Sequence, residues 1–190
     1  MRLDGTRSWE FRADIGHSTH AALYVRDSLR LEHSGSGVPP DLMGDVPDQS
    51  RLLDDAERAA VSREWLEAWH GMAGHPLVVP TVGADDVRIR ALYDEAHLWF
   101  QPVRRNVIRE NPRLIAWAVI REAVKDVASA RGVPTGRLRG TAEVLVVRGV
   151  WWRVLSPGSV LASVGAVSDP DAAGDLVRAC LESGLDGTAP

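Results

Sequence analysis

The side chains best suited to chemistry in this chain are its histidines and the carboxylates near them. Asp14, His17 and His20 follow one another at intervals of three, and His70 and His75 flank Gly71 and Gly74. Imidazole and carboxylate ligands at such spacings would suit zinc or another divalent metal, with a position left open for an activated water. The same groups could serve as a metal-free acid–base pair, as could Asp94 and His97, three apart in a helical pattern. No His-Glu-x-x-His run anchors the metal, and histidines on surface loops account for the same letters. No cofactor is otherwise implied.

Other catalytic patterns are missing. There is no Gly-x-x-x-x-Gly-Lys-Ser/Thr loop, and the only lysine, Lys125, sits in a helical pattern, which disfavours a phosphate-cradling NTPase. No Gly-x-Ser-x-Gly elbow presents a serine. Cys180, the single cysteine, falls on the apolar face of a helical pattern and reads as a packed thiol. One cysteine also excludes an internal disulfide and a cysteine-based zinc cage.

Basic and aromatic residues point to binding instead. Residues 1–85 carry a net charge of −6, residues 86–153 of +6 and residues 154–190 of −4. Arg104, Arg105, Arg109 and Arg113 crowd one stretch of the basic part, a pattern that neutralises phosphates. Acidic elements packed beside the basic middle would explain the same distribution, and a pI near 5.9 disfavours general nucleic-acid affinity. Seven tryptophans stand against two tyrosines and two phenylalanines. Trp151 and Trp152, adjacent in a strand pattern, must face opposite sides. Trp65 and Trp69, four apart in a helical pattern, form a ridge. These four are the candidate partner contacts, since exposed tryptophan anchors interfaces.

The elements that must position these residues follow from periodicity. Trp9, Phe11, Ala13 and Ile15 alternate with charged residues, and Leu23, Val25, Leu29 and Leu31 extend the reading to antiparallel strands over 8–32. Residues 33–50 hold glycines, serines and prolines without period, a flexible loop or linker. Helical spacing covers 51–70, and favours a helix over 86–100. Asn111-Pro112 reads as an N-cap and first position of a helix over 112–131, apolar enough to be central and mostly buried. Antiparallel strands over 142–167 follow, with a Pro157-Gly158 turn, then a helix over 170–183 and a frayed tail at 185–190. The expectation is one α+β domain across 1–190.

The chain has 190 residues, 45% hydrophobic and 25% charged, values of an ordinary soluble domain. No apolar run reaches the length of a membrane span, and the N-terminus lacks an apolar leader, so the reading is cytoplasmic. Of three functional readings, a non-catalytic protein that binds another protein or itself through Trp/Arg surface ranks first. A small metal-dependent or acid–base enzyme is second, and a polyanion or nucleic-acid binder third. The composition, rich in arginine, alanine and glycine, is that of a GC-rich bacterial genome.

Overall fold

The computed structural model describes residues 8–35, 37–72, 82, 83 and 85–187. It is an α+β fold built on a four-stranded mixed sheet. Strand β1 (Glu10–Asp14) alternates exposed and half-buried positions, as its sequence requires. Strands β2 (Arg139–Leu145), β3 (Trp152–Ser156) and β4 (Ser159–Ser163) complete the sheet in the order β1-β2-β4-β3. β2 runs parallel to both neighbours, with Glu10 opposite Arg139 and Thr141 opposite Ser159; only β3 and β4 are antiparallel.

Two expectations about the sheet are corrected. Residues 17–28 are helix α1 (His17–Ser28), so no meander spans 8–32. The reason is burial: Thr19 through Arg26 are all buried. A helix covered on every side loses the polar stripe that identifies it and reads as a continuous apolar run. The strands over 142–167 are likewise not a simple antiparallel set, because β4 lies between β2 and β3. Residues 146–148 pair elsewhere: Val146 O accepts from Met43 N–H, and Arg148 N–H donates to Asp41 O. Those bonds replace the ones a hairpin partner would make. Residues 164–168 then turn into a short helix, α5 (Val164–Ser168), where Ser163 accepts from the Ala166 N–H as N-cap.

Three further helices fall where periodicity puts them, α2 (Asp55–Gly71), α3 (Val87–Glu110) and α6 (Pro170–Asp186), although α3 runs ten residues beyond the expected 86–100. Helix α2 opens on a capping box between Asp54 and Glu57. Helix α4 (Trp117–Arg131) departs from the expectation for 112–131. Asn111 ends α3, its N–H donating to Val107 O, and Pro112, with no N–H to give, prevents continuation. Helix α4 is buried only at Ile120, Ala123, Val124 and Val127, so it is a surface helix, and the buried central one is α1. Gly132 closes α4 in the left-handed conformation, as expected of a glycine cap.

The sheet separates two apolar cores. Ala142, Val144 and Val160 meet α4 and α6 on one face, while Leu145, Leu155 and Leu161 meet α1 and α2 on the other. Helix α3 serves both, through Phe100 in the first and Leu92 in the second. Within the expected 33–50 loop, residues 37–49 are a loop, and it is fastened: the buried Arg26 donates to Pro39 O and Pro40 O, and Asp27 accepts from Leu42 N–H. Of the expected tail, Leu185 packs on the first core and α6 runs to Asp186. No helix among the described residues is long and apolar enough to cross a membrane.

Candidate functional site

Asp14 ends β1, and Gly16 caps α1, so His17 and His20 lie on the first turns of a helix at the C-terminal ends of the parallel strands. Ligand sites of open parallel sheets favour this location. His20 is fully buried and both ring nitrogens are engaged. Its Nδ1–H donates to Gly16 O at 2.5 Å, and its Nε2 accepts from Val146 N–H at 2.9 Å. Burial lowers its pKa to about 4, so the ring is neutral and structural at ordinary pH. His17 instead meets His97 of α3, Nε2 to Nδ1, at 3.2 Å. One ring must donate and the other accept, so the contact does not survive protonation of both. Burial, then the charge of His97, lowers the His17 pKa.

Glu143 is the cross-strand neighbour of Asp14. Its carboxylate occupies the space that a side chain on residue 16 would need, 2.4 Å from where a Cβ would stand. Burial raises its pKa; the Thr19 hydroxyl beside it opposes this and Asp14 adds to it. Neither Glu143 Oε2 nor Thr19 Oγ1 completes a hydrogen bond. Asp14, Glu143, His17 and His20 thus form a titratable group around the first turn of α1. It is not a metal set: among the described residues no three His, Cys, Asp or Glu side chains could hold an ion. His70 is exposed at the end of α2, and His75 lies outside the described residues. Burial raises the Cys180 thiol to about 11, which makes it unreactive.

The tryptophans separate by burial. Trp65 and Trp69 are wholly buried, so they correct the expectation of a contact ridge. A pair four apart marks one face of a helix without saying whether that face points in or out, and here it points in. Their rings stack at 5.2 Å, and their Nε1–H groups donate to Ala22 O and Gly37 O. Arg26 and Arg153 lie over the two rings. Trp151 and Trp152 are both half-buried, packed on opposite cores as strand geometry demands. The exposed tryptophan is Trp117, 55% accessible, the first residue of α4. It stacks on Trp9 with ring centroids 4.6 Å apart.

Of the basic residues flanking Trp117 in the chain, one is consumed internally. Arg104 reaches Asp14 at 3.9 Å. Arg105, Arg109, Arg113, Arg121 and Lys125 are exposed and form no ion pair among the described residues. Most other arginines are tied, for instance Arg88 to Asp86 and Arg131 to Asp186. Trp117, Arg121 and Lys125 recur every four residues and share one face of α4. A tryptophan in register with a cationic stripe was the overlooked signal in the sequence. The first turn of α4 carries no acidic residue and no side-chain cap, so its helix dipole adds to the local positive field.

A separate cleft of about 310 Å³ lies beside the end of α1, with Arg30, His33, Asp41, Asp45 and Arg148 on its walls. Two of its charges are engaged: His33 meets Asp41 at 3.0 Å, and Arg30 meets Asp48, outside the wall, at 3.3 Å. No family model, curated protein or solved structure matches this chain.

Proposed function

We propose that the protein is a binding protein that engages a macromolecular partner through the surface at the α3–α4 corner. One observation carries this reading: Trp117, a large amphipathic ring, stays 55% exposed at the start of a helix while Trp9 stacks against it. Isolated exposed apolar residues are ordinary on a protein surface, but tryptophan is the residue type most enriched where partners meet. The unpaired arginines on α3, on α4 and in the connection between them add electrostatic attraction that speeds encounter with an acidic partner. Trp65 and Trp69 take no part, since their rings are interior.

The test compares wild-type protein with a Trp117→Ala, Arg113→Glu double variant, each immobilised and offered to an extract of the source cell. The wild type is expected to retain a partner that the double variant loses. Equal retention by the two proteins rejects the surface. Both residues are exposed, so the substitutions leave the two cores intact.

A further inference from the structure

The binding role just proposed leaves open what occupies the surface, and the arrangement of charge and ring narrows the choice. We infer that the site holds a single-stranded nucleic acid, with a base stacked on Trp117 and phosphates along the cations from Arg105 to Lys125.

Three features converge on that occupant. The first is the layout of charge. Arg105 and Arg109 are one turn apart on α3, Arg113 lies in the connection, and Arg121 and Lys125 follow on successive turns of α4. Four residues of helix rise about 6 Å, so the cations on each helix are spaced along it rather than clustered at a point. Unpaired cations spaced in this way suit a partner whose negative charge repeats along a chain. Second, these cations are available. Among the described residues none of the five meets a carboxylate, whereas Asp126, on the same helix, is turned to Arg178 at 3.4 Å. Glu110 and Glu122 lie between these cations in the chain and moderate their field. Third, Trp117 stands in register with Arg121 and Lys125 on α4. With one side against Trp9 and 55% of the residue accessible, the indole offers a platform for a flat partner. Bases in a duplex are already stacked on each other; unpaired bases are not. An aromatic platform within a basic track therefore selects single strands.

The experiment uses the full chain with labelled oligothymidylate and oligouridylate, the two arms separating DNA from RNA as the source of the same chemistry. Binding of either at low salt, with quenching of tryptophan fluorescence, is the expected result. Trp117→Ala should remove that quenching and weaken binding roughly five- to a hundredfold. Five phosphate contacts give a slope of log affinity against log salt of about −3.5, and Arg109→Glu with Arg113→Glu should shrink it by about 1.4. Arg63→Gln, exposed on α2, should change neither quantity. The inference is overturned if neither oligomer binds, if a duplex of equal length binds as tightly, or if Trp117→Ala leaves affinity unchanged. An acidic polypeptide that binds through Trp117 while both oligomers fail would overturn the nucleic-acid assignment and leave the binding role standing. Equal extract retention by wild type and double variant would remove the role itself.

Discussion

His20 illustrates how a residue with catalytic letters becomes structural. Its ring replaces the backbone partner that the Val146 N–H would otherwise need, and it closes the first turn of α1 through Gly16 O. The consequence is a defined pH dependence. An unfolded chain binds a proton at His20 near its ordinary value of 6.5, while the folded chain resists until about 4. Between those values the unfolded state holds more protons, so stability falls as pH falls, by roughly 1.4 kcal/mol per unit at most. Glu143 acts with the opposite sign, since its raised pKa gives stability that is lost as pH rises above the ordinary carboxylate range. Denaturant midpoints at pH 7, 6 and 5 should decline more steeply for the wild type than for His20→Gln; parallel declines would show that another group dominates. From letters alone, Asp14, His17 and His20 look equivalent. What separates them is burial, and residue spacing carries no information about burial.

At the scale of elements, the turns and helices with an amphipathic stripe were legible, and the pairing of strands was not. Helices α2 and α6, the Gly132 cap and the Pro157-Gly158 turn follow from local chemistry, because their determinants lie within a few residues of one another. The parallel register of β1 on β2 depends on residues far apart in sequence, and α1 is hidden by its own all-round burial. The connection after β4 shows how tight these long-range contacts are. A Cβ on Gly165 would stand 2.3 Å from Gly149 O and 3.0 Å from its carbonyl carbon, backbone atoms that cannot swing aside. Gly165→Ala is expected to lower stability by about 1–3 kcal/mol through overpacking. Gly71→Ala, at the end of α2 with nothing within 4 Å, should be neutral or slightly stabilising. Urea midpoints compare the two, and equal values would mean that the β4–α5 turn yields more easily than its geometry implies.

For the molecule as a whole, the net charge of −4 conceals a division of labour. Part of the basic middle is neutralised internally, Arg88 by Glu57 and Arg139 by Glu10, as complementarity between segments would have it. Arg105, Arg109, Arg113, Arg121 and Lys125, on α3, on α4 and in the connection between them, form no ion pair among the described residues. From sequence alone the arginines are located, but the aromatic contact falls on Trp151, Trp152, Trp65 and Trp69, because α4 reads as an interior helix. The sheet also ties the ends of the molecule together: Glu10 pairs with Arg139, which is 129 positions away. A fragment ending at residue 138 would retain β1 with no strand to pair with. Such a fragment is expected to unfold without a cooperative transition, followed by circular dichroism in urea; a sigmoidal transition would show that the helices on one face form a unit without the sheet.

That pairing has a consequence during biosynthesis. A ribosome adds about 5–20 residues per second, so β1 emerges roughly 6–25 s before the strand it must lie against. Over that interval Ala21, Ala22, Leu23 and Val25 have no sheet to cover them. A nascent chain of this design is held open by its own topology, and the crowded surface near the exit tunnel is the first environment its most buried helix meets.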